Sequence, residues 1–291
     1  MGLKAKFNLI MVAAFAVGFA LSTVLAYRIL QESARGEILQ QARLMMEAAR
    51  AIRGYTVDET APLLEDHMSV RFLPNAVPAF AAQATLRRLG TAYRSYAYKE
   101  AALNPTNPAD RATDWEAAII KAFQANPKLG ESVVERETPD GQTLSLARPL
   151  RIEDGACLAC HATPAAAPAT MVDLYGVHNG FGWKLGDVIG AQIVSVPENV
   201  ALAKANRAFI FVLGALGAVF LVMMLVLNLL LHLLIAKRVR RISDIASEVS
   251  LGNLSAPEFD QRGKDEIASL AASFNRMRRS LVDAMKMLET S

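Results

Sequence analysis

Cysteine and histidine are scarce in this sequence, which contains only two cysteines and four histidines among 291 residues. A structural zinc site normally takes four ligands of these types. Besides His161 the histidines are His67, His178 and His232, and His232 lies in an apolar run, so we expect no such site. The formal net charge is only +3, which gives no indication of nucleic-acid binding.

Charge is absent from two long segments, residues 7–27 and 208–236. Each is long enough to cross the ~30 Å hydrocarbon core of a bilayer as a helix. Buried helices of a soluble protein rarely reach such lengths without a charged residue. The sequence therefore predicts two transmembrane helices, one over each segment.

Basic residues mark the ends of these segments that face the cytoplasm. They are Lys4 and Lys6 before the first segment, and Lys237, Arg238, Arg240 and Arg241 after the second. By the positive-inside tendency both termini, including residues 1–6, are cytoplasmic, and residues 28–207 lie on the outer side. Val24-Leu25-Ala26 could serve as a signal-peptidase site, but the apolar stretch exceeds a typical signal sequence, so we favour an uncleaved anchor.

Both cysteines belong to residues 157–161, Cys-Leu-Ala-Cys-His, which is the C-x-x-C-H pattern of covalent c-type haem attachment. The thiols of Cys157 and Cys160 would each bond one haem vinyl group, and His161 would be an axial iron ligand. In bacteria this attachment takes place in the periplasm, which agrees with the predicted topology. The pattern predicts one covalent haem c per chain, in a protein of the bacterial inner membrane.

The cysteine pair has two other interpretations. A disulfide is possible in an oxidising compartment. A thioredoxin-type redox motif prefers a helix N-terminus after a strand, whereas this pair follows the polar turn Glu153-Asp154-Gly155. We favour haem over both.

The second axial position of the iron stays open. A histidine would give a low potential, a methionine would raise it, and a vacant position would bind gases. A cysteine thiolate is excluded because there is no third cysteine. His178 is the preferred candidate because it lies closest downstream, in a glycine-rich loop that could fold back. The others are Met171, His67 and Met68, and Arg148 could pair with a haem propionate or be solvated at the sheet edge.

Residues 28–54 are predicted to continue the first helix as a stalk that ends near Gly54. Apolar residues recur there at spacings of three and four, which predicts a narrow seam packing on a partner helix. The seam residues are Ala34, Ile38, Ala42, Met45, Ala49 and Ile52. A homodimer is the expected assembly.

Residues 55–207 read as a mixed helix and strand domain. The predicted order is helix, strand, helix, hairpin, loop and strand, which suits a small antiparallel sheet with helices on one side, as in PAS-like sensors. The strand candidates are Tyr96–Tyr98, Val133–Thr138, Leu144–Leu150 and Asp187–Pro197, and a capping box at Thr113 opens the second helix. The predicted fold class of this region is α+β.

Residues 237–291 carry two separate heptad strips joined by a connector. The first contains Val239, Ile242, Ala246 and Val249, and the second contains Ile267, Leu270, Phe274, Met277, Leu281, Ala284 and Leu288. Two such helices after a membrane span indicate a parallel four-helix coiled coil formed by two chains. The alternative is a basic amphipathic helix lying on the inner leaflet.

This tail resembles a HAMP domain, the signal-relay module of membrane receptors. The resemblance rests on the helix after the span, the break at Gly252-Asn253-Leu254, and Asp265-Glu266-Ile267 opening the second helix. Arg238 stands about where many HAMP domains have a proline. The resemblance implies a dimeric, all-α relay.

The region from Tyr55 to Pro197 resembles the c-type haem family of sensor domains, long filed as a domain of unknown function. The matching motifs are Asn104–Pro108, Leu146–Pro149, Cys157–His161, and Tyr175-Gly176 with Asn179–Gly186. The resemblance implies a PAS-like fold that holds one haem c, often coupled to HAMP and an output module. No kinase, cyclase or methyl-accepting segment follows before Ser291, so we expect a separate output partner, or a chain that does not signal in the usual way.

Three functions follow from these features. The leading one is a periplasmic haem sensor of redox state or a diatomic gas, with the lipid bilayer and a cytoplasmic signalling partner around it. The second is a membrane-anchored monohaem electron carrier that serves respiratory redox partners. An enzyme such as a peroxidase comes last, because no convincing distal acid–base pair is evident.

Overall fold

The computed structural model describes residues 2–139, 141–253, 255–260 and 263–289. Parts of the predictions above fall on Met1, Leu254 and Ser291, which lie outside the described residues. The side chain of Leu288 lies outside them too. The chain forms two compact units. One runs from Arg28 to Ala208, and the other joins the residues up to Tyr27 with those from Phe209 onward.

A single helix, α1, extends over Leu3–Tyr55 and confirms that the chain stays helical beyond Arg28. A π-helical turn at Thr56–Thr60 and helix α2, Ala61–Met68, follow it. Because α1 contains no proline, nothing in its backbone interrupts the i to i−4 hydrogen bonds over this length. The predicted exit of the stalk near Gly54 falls one residue before the end of α1.

Four antiparallel strands form one sheet in the order β1-β4-β3-β2. They are β1, Ala97–Ala102; β2, Ser132–Thr138; β3, Gly141–Arg151; and β4, Val188–Pro197. The predicted strands are confirmed, although β1 continues four residues beyond Tyr98. The sequence did not indicate this extension because Lys99 and Glu100 are charged. In the structure Lys99 pairs with Glu116, and Glu100 pairs with Arg53.

Helices cover both faces of the sheet, so the prediction of helices on one side is wrong. Leu146 and Val194 pack in one core with α1 and with helix α3, Pro78–Leu86. Their neighbours Ala147 and Ile193 pack in a second core with helix α4, Asp114–Ala125. The physical reason lies in β4, whose consecutive apolar residues are typical of a strand that is buried on both sides.

The predicted capping box opens α4 as expected. The Thr113 side chain caps the third backbone amide of the helix, and the Glu116 carboxylate accepts a hydrogen bond of 2.7 Å from the Thr113 amide. Ile119 and Phe123 of α4 are 7% and 1% exposed, so the predicted buried face is confirmed at these positions. The Trp115 ring, partly buried, lies under the Arg136 guanidinium at 3.5 Å.

The apolar seam of α1 packs on the chain's own sheet, so the prediction that it meets a partner helix is wrong. Ile38, Ala42 and Ala49 are at most 1% exposed and belong to the core formed with β3 and β4. Spacing predicts that a helix has an apolar stripe, but it does not identify the surface that covers the stripe. Ion pairs fasten the same helix to the sheet region, including Arg35–Glu135 at 2.6 Å and Arg43–Glu131 at 2.8 Å.

The second unit contains the two apolar segments and the C-terminal tail. Helix α7, Asn199–Leu230, continues through a π-helical turn at Leu231–Ala236 into helix α8, Lys237–Ser250. Both this helical stretch and the one that contains α1 are long and apolar enough to cross a membrane. Within the apolar segments, the Phe220 ring contacts Phe15 and Phe19 at centroid distances of 5.6 and 5.8 Å.

The tail consists of α8 and helix α9, Glu266–Glu289, with a connector that packs between them. Ile242 and Ile245 of α8, Ala256 and Phe259 of the connector, and Ala271 of α9 form its core. The buried Asn275 side chain exchanges two 3.0 Å hydrogen bonds with the Phe259 backbone, which fixes the connector on α9. Three residues of the predicted second strip remain 44–59% exposed in the single chain: Leu270, Met277 and Leu281.

Replacing Ile38 by alanine should lower the free energy of unfolding by about 2–5 kcal/mol, because it opens a cavity between α1 and the sheet. Leu44→Ala, on the opposite side of α1 and 72% exposed, should change it by less than about 0.5 kcal/mol. Denaturant unfolding of the detergent-solubilised full chain measures both. Equal losses in the two variants would contradict this placement of the seam.

Candidate functional site

Residues 157–161 form a short helical turn after β3. The chain leaves β3 at Arg151 and passes through a 3-10 turn, Gly155–Cys157, into helix α5, Leu158–His161. The Asp154 carboxylate accepts a 2.8 Å hydrogen bond from the Ala156 amide and so caps this turn. Because residues three and four apart share one side of a helix, Cys157, Cys160 and His161 project from the same side.

Neither cysteine is paired in a disulfide, and Cys157 is exposed while Cys160 is half-buried. Burial raises the pKa of both thiols, and the Asp154 carboxylate raises that of Cys157 further. A cysteine that acts in thiol–disulfide exchange has a lowered pKa instead, because the thiolate is the nucleophile. The electrostatics of the pair therefore argue against a thioredoxin-type redox motif.

The imidazole of His161 is oriented by a backbone carbonyl. Its Nδ1 lies 2.7 Å from the carbonyl oxygen of Gly180, and 3.4 Å from Thr106 Oγ1. A carbonyl oxygen only accepts hydrogen bonds, so Nδ1 carries the proton and donates it. Nε2 then keeps its lone pair, which is the arrangement that metal-ligating histidines adopt when a backbone carbonyl holds the other ring nitrogen.

An indole ring packs against one face of the same imidazole. The rings of His161 and Trp183 stack at a centroid distance of 3.9 Å with an angle of 19° between their planes. The Trp183 amide also donates to the His161 carbonyl at 3.3 Å, and the Gly182 amide donates to that of Ala162 at 3.1 Å. Burial lowers the pKa of His161, so the neutral imidazole that can bind a metal predominates at pH 7.

Gly180 permits three segments to meet at His161. Its φ of +82° lies in the left-handed region, and a Cβ atom at this position would stand only 2.8 Å from the Cα atom of Thr106. The loop Asn104–Pro108, the glycine-rich loop 176–186 and α5 thus converge on one side chain. Thr106 and Gly180 belong to two motifs of the family resemblance, Asn104–Pro108 and Asn179–Gly186, but the sequence did not indicate that either residue contacts the histidine.

These groups suit a covalently attached haem. The fit rests on two thiols free of a disulfide on one helical turn, and on an imidazole with an available Nε2. The donor set is the one that c-type haem attachment requires. Cys157, Cys160 and His161 are therefore the residues that could hold the group.

The candidates for the second axial position lie in three places. His178 is exposed on the glycine-rich loop that also supplies Gly180. His67 is exposed on α2, where the Met68 Sδ atom accepts a hydrogen bond of 3.2 Å from the Leu73 amide. Met171 is 3% exposed on helix α6, Ala169–Tyr175. Among these four, only His178 belongs to a loop that contacts His161, and its role stays a prediction.

Arg148 forms ion pairs within the protein, so the expectation that it is solvated at the sheet edge is wrong, while its pairing with a haem propionate stays a prediction. Its guanidinium binds Glu47 of α1 at 2.6 Å and Glu131 at 3.3 Å. These carboxylates raise the pKa of Arg148, and the strand that carries it, β3, lies between β4 and β2 and not at an edge. Arg148 therefore ties the sheet to α1.

Two family profiles match the sequence. The family described as Tll0287-like matches residues 31–197, and the HAMP domain matches residues 230–283. No curated protein matches the chain. Among solved structures, the crystal structure of the cyanobacterial heme-protein Tll0287 matches at 20% sequence identity, with a TM-score of 0.43, over 55% of this chain and 95% of that chain.

Gly180→Ala should remove more than half of the bound haem per chain, because the added methyl group displaces Thr106 and the carbonyl that orients His161. Gly182→Ala is the matched control, since Gly182 has the same φ of +82° but nothing within 4 Å of the Cβ position. Its haem content should stay near that of the unchanged protein. The ratio of Soret absorbance to protein measures both, and equal losses would contradict the packing role of Gly180.

Proposed function

Because this chain belongs to the Tll0287-like family of haem-binding sensor domains and also contains a HAMP domain, we propose that it is a membrane-bound sensor that carries one covalent haem c. The stimulus is a change of redox state or the binding of a diatomic gas. The bond from His161 Nδ1 to the Gly180 carbonyl carries the proposal, because it prepares Nε2 for a metal. The combination of the two domains favours a sensor and not an enzyme.

In this proposal the site residues divide the work of holding the haem. Cys157 and Cys160 would bond the porphyrin, His161 would bind the iron, and His178 is the candidate for a second iron ligand. Haem iron supplies a centre that changes oxidation state or exchanges a diatomic ligand. Trp183 and the Gly180 carbonyl hold the His161 ring, so the protein itself sets the orientation of this ligand.

The proposed placement is a two-pass protein of the bacterial inner membrane with both termini in the cytoplasm. Residues 7–27 and 208–236 are the spans, 28–207 the periplasmic haem domain, whose core includes the part of α1 from residue 38 to residue 49, and 237–291 the HAMP domain. Two helical stretches with the length and hydropathy of membrane spans support this arrangement. The basic residues that flank both segments support the orientation.

The assembly we propose is a homodimer joined through the HAMP domain. Leu270, Met277 and Leu281 of α9 follow a heptad spacing and are exposed in the single chain. A second copy would cover them in a parallel four-helix coiled coil, since such strips are buried by a partner helix. The state of the haem would then change the relative populations of two packings of this bundle.

The runner-up function is a membrane-anchored electron carrier. The exposure of Cys157 favours it, because a haem edge near the surface can exchange electrons with a respiratory partner. An electron carrier would have no use for a HAMP domain, which this function therefore leaves unexplained. Deletion of residues 237–291 separates the two functions, because electron transfer in membranes would survive the deletion in a carrier.

Absorption spectra test the haem and its coordination together. The protein should show a Soret band, and His178→Ala should change a six-coordinate haem into a five-coordinate one that binds CO at once on reduction. His67→Ala removes the other exposed histidine among the candidates and should leave the spectrum unchanged. A six-coordinate spectrum in His178→Ala would remove His178 as the ligand.

Chemical cross-linking of α9 tests the relay. Leu270→Cys and Leu281→Cys should cross-link between copies with a bismaleimide, and reduction of the haem or addition of NO or CO should change the yields at least twofold. Arg279→Cys, half a helical turn from this strip, should cross-link poorly in every state. Identical yields in all haem states would contradict the sensor.

A further inference from the structure

A buried carboxyl group lies at the junction between the sheet and the helix that carries the second apolar segment. Glu198 follows β4, which ends at Pro197, and precedes α7, which begins at Asn199. It is 7% exposed, and its enclosed Oε1 atom has no hydrogen-bond partner among the described residues. Its backbone amide donates to the Gln142 carbonyl at 2.9 Å, and its carbonyl accepts from the Leu202 amide at 2.9 Å. Bonds on both sides therefore hold the side chain at the junction.

Two other glutamates of the same domain are buried as deeply, and each of them has a cation. Glu100 and Glu116 are 3% and 5% exposed. Glu100 forms an ion pair with Arg53, and Glu116 forms one with Lys99 at 2.7 Å. No such ion pair holds Glu198 in the part of the chain that the structure describes. Because an unpaired buried carboxylate is costly and a protonated carboxyl is neutral, this position favours the protonated form of Glu198.

Two ion pairs supply the charged groups on the elements around Glu198. Arg35 of α1 pairs with Glu135 of β2 at 2.6 Å, and Glu37 of α1 pairs with Lys204 of α7 at 3.6 Å. Burial raises the pKa of Glu198, the Glu135 carboxylate raises it further, and the Arg35 guanidinium lowers it. Since Arg35 is already paired with Glu135, its positive charge only partly offsets the other two effects.

The first two turns of α7 are docked on α1 and on the core of the sheet. Besides the ion pair of Lys204, the Gln31 side chain of α1 donates a 3.0 Å hydrogen bond to Asn206 Oδ1. Ala201 packs against the core that α1 forms with β3 and β4, and Ala205 is 7% exposed. Beyond these turns α7 continues to Leu230. A change at Glu198 therefore acts on the start of a helix that enters the second apolar segment.

We propose that Glu198 is a proton-controlled switch that sets how firmly the first two turns of α7 are docked. The protonated carboxyl can stay buried, whereas the carboxylate has to reach water, which loosens the junction. A carboxyl whose pKa is raised in the folded state stabilises that state below its ordinary pKa of about 4.3, and this stabilisation is lost as the pH rises through the raised pKa. The switch does not depend on the haem and adds proton concentration as a second input to α7.

Hydrogen exchange of the full chain in detergent at pH 5 and pH 8 tests the switch. After correction for the intrinsic pH dependence of exchange, the protection of amides 202–206 should be lower at pH 8 by about threefold or more. In Glu198→Gln the difference should vanish, because the neutral amide has nearly the shape of the protonated carboxyl and does not ionise. The same pH dependence in Glu198→Gln, or none in the unchanged protein, would overturn the inference.

The neighbouring ion pair provides two variants that leave Glu198 in place. Glu135→Gln removes a negative charge and frees Arg35, so the pH at which half of the protection change has occurred should fall. Arg35→Gln should raise that pH. Each shift should correspond to about a threefold or larger change in proton concentration. Shifts of the same sign, or no shift in either variant, would overturn the inference even if Glu198→Gln failed to fold.

A control variant separates this role from simple weakening of the junction. Glu37→Gln breaks the ion pair with Lys204 and should lower the protection of amides 202–206 by a similar factor at both pH values, without moving the half-change pH. The amides of β3 should stay protected at pH 5 and pH 8, and their loss at pH 8 together with those of α7 would overturn a local switch. A missing Soret band would overturn the proposed function alone, since this experiment reads α7 and not the haem.

Discussion

The hydrogen bond from His161 Nδ1 to the Gly180 carbonyl is the interaction on which the candidate site depends. It fixes the tautomer of the imidazole and brings the glycine-rich loop against α5 and Thr106. Trp183, from the same loop, then closes over the ring. A loop without regular structure therefore supplies the precision of the site, because its glycines adopt backbone conformations that bring carbonyl and indole to the histidine.

Much of the domain was predictable because its signals are local. The capping box of α4, the hairpin of β2 and β3, and the apolar run of β4 each depend on residues close in sequence, and the structure confirms them. The partner of the α1 seam was not predictable, because an apolar stripe is equally suited to a sheet and to another helix. For the same reason the sequence did not predict that helices cover both faces of the sheet.

The candidate site, too, was predictable only where its signals are local in the sequence. Cys157, Cys160 and His161 form a pattern within five residues, whereas the groups that orient His161 come from positions 19 and 22 residues later and from Thr106. The expectation that Arg148 is solvated failed because its partners Glu47 and Glu131 meet it only after folding. Residue spacing does not reveal ion pairs between side chains that are far apart in the sequence. Here such an ion pair connects α1 to the sheet.

The proposed sensor requires a haem that is bonded to the polypeptide through Cys157 and Cys160. The most direct measurement is the intact mass of the unchanged protein under denaturing conditions, after expression in a host with a haem c maturation system. We expect a mass larger by one haem, because a covalently bonded haem remains with the chain when non-covalent contacts are lost. An unmodified mass, or one lowered by the two hydrogens of a Cys157–Cys160 disulfide, would contradict this expectation.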